Sequence, residues 1–121
     1  MCLAHIHFLR AETPEYYAVK ILTAHATKCY HDGHLLELEV MQAISASKSL
    51  QLPRLYDHFE IDGPHGRHLC LVCRVLSEDV SSFRQSAPSK TLDTPKVKII
   101  VAEVVEALIQ LHAAKFIHTG R

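Results

Sequence analysis

The sequence predicts an α+β fold: a partial antiparallel sheet with one helix against it, followed by a connecting segment and two further helices. Three observations predict it. Residues 16–22 are dense in β-branched and aromatic side chains, which suit a pleated surface. Residues 55–61 and 68–75 form two more such runs around Asp62-Gly63-Pro64-His65-Gly66, a cluster of turn formers that reads as a hairpin. Residues 34–47 and 95–114 instead carry apolar side chains at helical spacing.

The first helix is expected to start near Asp32-Gly33 and to face the sheet with Leu36, Val40, Met41 and Ile44. Beyond Leu76 the sequence turns polar through Phe83, giving a short helix, and then loops around Ala87-Pro88-Ser89. The strongest signal is the last helix. Val97, Ile100, Val101, Val104, Leu108 and Leu111 make one face, Thr94 is placed as N-cap and Pro95 at the first helical position. These segments divide the chain into residues 1–10, residues 11–76 and residues 77–121.

A chain of 121 residues with 48% hydrophobic residues is a globular domain with a modest core. Thirteen Lys and Arg against thirteen Asp and Glu leave no global field to gather nucleic acid or an anionic membrane. The N-terminus has neither a basic start nor an uninterrupted apolar stretch, and no apolar run reaches membrane-spanning length. An intracellular location, cytoplasmic or nuclear, is expected, with Cys2, Cys29, Cys70 and Cys73 as thiols.

The chemistry-bearing residues begin with Ala18-Val19-Lys20 in the first strand. A lysine that faces phosphates on a flexible stem needs an anionic partner to fix it. Glu39 is chosen for that role over Glu37, because residues two apart on a helix point in different directions and Glu39-Val40-Met41-Gln42-Ala43-Ile44 has glutamate followed by alternating apolar positions. The second carrier is Leu69-Cys70-Leu71-Val72-Cys73-Arg74-Val75-Leu76.

In this order and spacing these features resemble the small lobe of a serine/threonine protein kinase running into its hinge and the first large-lobe helices. The resemblance implies that Lys20, fixed in place by Glu39, holds the ATP phosphates, that Cys73 is the gatekeeper, and that Arg74, Val75 and Leu76 form the hinge that receives adenine. Ala18 with Val72 or Leu76 would line the ring's pocket. Leu55-Tyr56-Asp57-His58-Phe59, Gly63-Pro64-His65-Gly66, His68-Leu69-Cys70-Leu71-Val72 and Phe116-Ile117-His118-Thr119 are narrower, and resemble the SR-protein kinases, which phosphorylate serine in Arg/Ser-rich proteins. Together the resemblance covers about residues 15–119.

The chain also departs from that pattern. No glycine occurs in the first fifteen residues, so no Gly-rich loop precedes Lys20. Gly120 stands where the catalytic aspartate would follow His118-Thr119, and the family's magnesium-binding asparagine and Asp-Phe-Gly aspartate are not in the sequence. ATP and magnesium are the family's cofactors, but this polypeptide is expected to hold part of the ATP site, to bind ATP weakly and to be inactive alone. The alternatives are a non-catalytic interaction module, docking a protein partner or itself through residues 95–114, and a fragment produced by gene prediction.

Cys29, His31, His34, His65, His68, Cys70 and Cys73 raise a metal-site reading, with Cys70 and Cys73 spaced as in a zinc knuckle. No metal is expected there. Positions three apart in a strand lie on opposite faces, and Leu71-Val72 is no turn.

Overall fold

The computed structural model describes residues 4–10, 16–49, 51–76 and 79–119, the first of these stretches by its backbone alone. Among the described residues four strands and four helices follow one another as β1 (Ala4–Arg10), β2 (Tyr16–Leu22), α1 (Ala24–His31), α2 (Glu37–Ala46), β3 (Leu55–Gly63), β4 (Gly66–Arg74), α3 (Val80–Ser86) and α4 (Thr94–Ala113). The fold is α+β, a kinase-like small lobe followed by large-lobe helices. The chain divides into two compact units, residues 1–48 with 53–75, and residues 49–52 with 76–121.

In the first unit the strands form one antiparallel sheet in the order β1-β2-β4-β3. β4 is central and buried along Leu69, Cys70 and Leu71, whereas β3 is an edge strand with exposed Tyr56, Phe59 and Ile61. The hairpin expected between β3 and β4 forms, closing on Pro64-His65 with Gly63 opposite Gly66. Gly66 adopts φ +126° there, a conformation that L side chains rarely reach.

Two elements were not foreseen. β1 pairs with β2 from Ala4↔Leu22 to Arg10↔Tyr16, so residues assigned to a separate N-terminal segment add a strand to the sheet. α1 follows β2 directly. Its sequence has no apolar stripe, and it buries only Ala26 and Thr27. The readable sign was Thr23, whose side chain caps the helix by accepting from the Ala26 amide.

The core lies between the sheet and these helices, built from Leu22, Ala26, Leu38, Leu69 and Leu71 with Tyr30, Leu35, Leu55 and Cys73 packed against it. The α2 face differs from the expected one. Leu38 is 4% exposed and Leu36 is 57% exposed, because the helix starts at Glu37 and Leu36 serves as its N-cap without a side-chain hydrogen bond. Ser45 then ties α2 to the edge strand by accepting from the Leu55 amide at 2.7 Å.

In the second unit α3 is capped by Asp79, whose carboxylate accepts from the Ser82 amide at 2.7 Å. That hydrogen bond, the largest influence, holds the Asp79 carboxyl below its ordinary range. α4 runs one residue longer at its start than expected: Asp93, not Thr94, is the N-cap, and Pro95 sits in the first turn. Of the expected apolar face only Ile100 and Leu111 are half-buried, while Val97, Val101, Val104 and Leu108 are exposed. Gln51 accepts from Gln110 Nε2 at 3.1 Å and donates to Glu103 at 3.5 Å, which ties Gln51 to that helix.

Candidate functional site

Side chains alternate along a strand, so Ala18, Lys20 and Leu22 share the sheet face that meets the helices. The β2–β4 register sets Ala18 opposite Cys73 and Lys20 opposite Leu71. Lys20 is thereby placed between an apolar floor and α2, and its Nζ forms an ion pair with Glu37 Oε1.

Glu37 is the partner; Glu39 is exposed. The helical phase explains the exchange. Glu37, Met41 and Ile44 lie at i, i+4 and i+7, one stripe that faces the sheet, whereas Glu39 lies with exposed Gln42, Ala43 and Ala46. Had the apolar stripe been started at Leu38 rather than Leu36, the sequence would have pointed to Glu37.

Cys73 sits beside this pair. Burial is the main influence that raises its thiol pKa, with Lys20 pulling it down and Glu37 pushing it up. Val72 is not on the face of Ala18: it pairs with Val19 in the β2–β4 register and so belongs to the opposite side of the sheet. Arg74 ends β4 and is exposed, Val75 is half-buried, and Leu76 is exposed and outside any helix, at the start of the 76–121 stretch of the second unit. Gly120 lies outside the described residues.

Cys70 and Cys73 both lie inside the unbroken strand β4 and so point to opposite faces. Burial raises the Cys70 thiol as well. Three histidines act as structural ties. His31 Nε2 meets Glu60 Oε1 at 2.6 Å, His58 meets Gln42 at 3.3 Å, and His68 Nδ1 reaches the Leu22 carbonyl at 2.9 Å. Among the described residues no helix is long and apolar enough to cross a membrane.

Comparison with known proteins fits this arrangement. No protein-family model matches the chain. Curated relatives do. SRSF protein kinase 3 of Homo sapiens is 36% identical over 96 residues, covering 74% of this chain and 17% of the relative. The serine/threonine-protein kinase SRPK of Physarum polycephalum is 30% identical over 94 residues, 74% of this chain and 22% of its own length. The probable serine/threonine-protein kinase sky1 of Dictyostelium discoideum is 27% identical over 107 residues, 86% of this chain and 16% of that protein. The chain thus spans about a fifth or less of the relatives it matches. With a lysine on the central face of the sheet, a carboxylate from the adjoining helix upon it, and these relatives, the chain belongs with the serine/threonine protein kinases of SR-protein kinase type.

Proposed function

We propose that these 121 residues are the nucleotide-holding part of an ATP-dependent protein kinase that phosphorylates serine in Arg/Ser-rich proteins. The Lys20–Glu37 ion pair carries the reading. In protein kinases generally, a strand lysine held by a helix glutamate binds the nucleotide's phosphates, and catalysis is mostly positioning and charge stabilisation. A long lysine side chain loses rotamer freedom when it is fixed on a phosphate. Glu37 removes part of that freedom beforehand.

The residues fit the nucleotide better than they fit its metal. Ala18 and Cys73, directly opposite one another, offer small apolar surface for a purine, and the backbone of Val75 and Leu76 would supply donors and acceptors for its edge, the Arg74 amide being taken up by the Arg54 carbonyl at 3.0 Å. The sequence contains no asparagine and no Asp-Phe-Gly to hold magnesium, and Gly120 follows His118-Thr119 where the family's general base would stand, so neither the magnesium-holding groups nor that base is among these residues. Loss of a positioned base alone costs about 10²- to 10⁴-fold in rate. The 121-residue polypeptide by itself is therefore expected to bind ATP weakly and to transfer no phosphoryl group.

Titration with a fluorescent ATP analogue tests this. Lys20→Ala is expected to weaken binding at least tenfold, and Glu37→Gln several-fold, while Glu39→Gln leaves it unchanged. Equal binding by the parent and Lys20→Ala would remove the case. Labelled ATP with magnesium and an Arg/Ser-rich peptide should give no turnover; phosphate incorporation by the pure polypeptide would refute the assignment of the base to other residues.

The exposed apolar residues of α4 favour a statement about partners. Ile99, Val101, Val104, Val105 and Ile109 are all about half exposed or more, so each would gain on full burial roughly half of the 1.5–3 kcal/mol of a fully exposed side chain. Because the matched relatives are several times longer than this chain, the cover we propose is further polypeptide of a kinase-length protein. Expressed as 121 residues, the chain should then self-associate through α4. Light scattering that finds a monomer at every concentration would count against it.

A further inference from the structure

Among the described residues β3 has a neighbouring strand on one side only, and the hairpin decides which of its backbone groups face the open side. The two-residue turn Pro64-His65 closes on the Gly63–Gly66 pair, and from there hydrogen-bonded and non-hydrogen-bonded pairs alternate along the antiparallel ladder. Phe59, Ile61 and Gly63 therefore turn their amides and carbonyls to β4, whereas those of His58, Glu60 and Asp62 point outward. The His58 amide accordingly donates to Asp57 Oδ1 at 2.8 Å. None of these residues belongs to the Lys20–Glu37 site.

An open edge is a template for another strand, and a second β3 has one antiparallel register that fits it. A register centred on His58 needs an amide already engaged, and one centred on Asp62 brings the turn into the ladder. Centred on Glu60, each Asp62 amide meets the other copy's His58 carbonyl, and the side chains agree. On the outer face Phe59 and Ile61, each 41% exposed, come opposite Ile61 and Phe59 of the second copy in the closely spaced positions. On the helix face His58 comes opposite the second copy's Asp62. Gln42 Nε2 donates to His58 Nε2 at 3.3 Å, which leaves the His58 Nδ1–H as a donor. The Asp62 carboxylate, 81% exposed, meets Arg67 at 3.2 Å and keeps lone pairs to accept. The two central Glu60 carboxylates would repel one another, but each is tied to its own His31 at 2.6 Å.

We propose that β3 docks a second copy of this chain, edge to edge and antiparallel about Glu60, so that two four-stranded sheets continue as one. The Phe59 and Ile61 side chains of both copies form the apolar centre of the contact, and the two His58–Asp62 pairs fix its register.

Sedimentation of the 121-residue chain at low salt tests this, in a background where Val101→Lys and Ile109→Lys remove the association expected of α4. The background protein should still dimerise. His58→Asp and Asp62→Lys should each raise the dimer dissociation constant at least fivefold, and the double variant His58→Asp/Asp62→Lys should return it to within twofold of the background. Within one copy, positions 58 and 62 are about 13 Å apart along an extended strand, so only pairing between copies gives that rescue. Ile61→Lys, which sets a charge against Phe59, should abolish dimerisation. A background protein that is monomeric at every concentration, single variants that dimerise like it, or a double variant no better than the singles would each overturn the proposal. Circular dichroism that matches the parent shows each variant to be folded.

Discussion

Leu71→Ala should lower the stability of the first unit by about 2–5 kcal/mol, the range for removing a large aliphatic side chain from a closed core. Leu71 is 1% exposed, lies in the central strand, and packs with Leu22, Leu38 and Leu69. A small domain holds about 5–15 kcal/mol in total, so the loss takes a large share of it. Urea unfolding followed by circular dichroism will show the effect as a lower midpoint, or as no cooperative transition at all. Leu71 is also the residue opposite Lys20, so nucleotide binding should fall with it. A midpoint within experimental error of the parent would mean that this apolar cluster does not hold the sheet to its helices.

Thr27→Val should cost about 1–3 kcal/mol although it keeps the side chain's shape, because it removes a partner from a buried donor. Thr27 is 1% exposed. Its hydroxyl donates to the Thr23 carbonyl at 3.0 Å and accepts from the Leu69 amide at 2.9 Å. The β2–β4 pairing ends at Ile21↔Cys70, so Leu69 N–H turns to the helix. Valine leaves that amide without its partner, in a position with little access to water. Thr27→Ser keeps both hydrogen bonds and should retain most of the stability, so the two variants separate the hydroxyl from the methyl group. Equal midpoints for the valine and serine variants would contradict the account.

The sheet and its long helices were legible because they carry strong periodicity. Residues 16–22, the β3–β4 hairpin and most of α4 rest on alternation, turn formers and helical spacing, and those signals are local. What was illegible depends on tertiary context. α1 is a helix of eight residues with alanine and threonine on its buried side, so it has no stripe to detect, and β1 is held by backbone pairing with β2. The choice of Glu39 over Glu37 failed for a different reason. It turned on the phase of a helix with two defensible apolar faces, and the one beginning at Leu38 was selected by the fit of Leu38 beside Leu22 and Leu71. The position of Lys20 needed no such information, because strand alternation alone sets it on the face of Leu22.

The bare start of α2 sets what else in the solution this protein will respond to. No side-chain hydroxyl or amide closes its first turn, and the carboxylate closest to that end is shared with an ammonium group on another element. Half-exposed charges of this kind are screened by dissolved ions at physiological strength, while apolar contacts such as those of Leu38 are not. The Lys20–Glu37 contact, and with it the aim of the lysine, should therefore loosen as electrolyte rises, while the apolar packing of Leu38 and the folded chain persist.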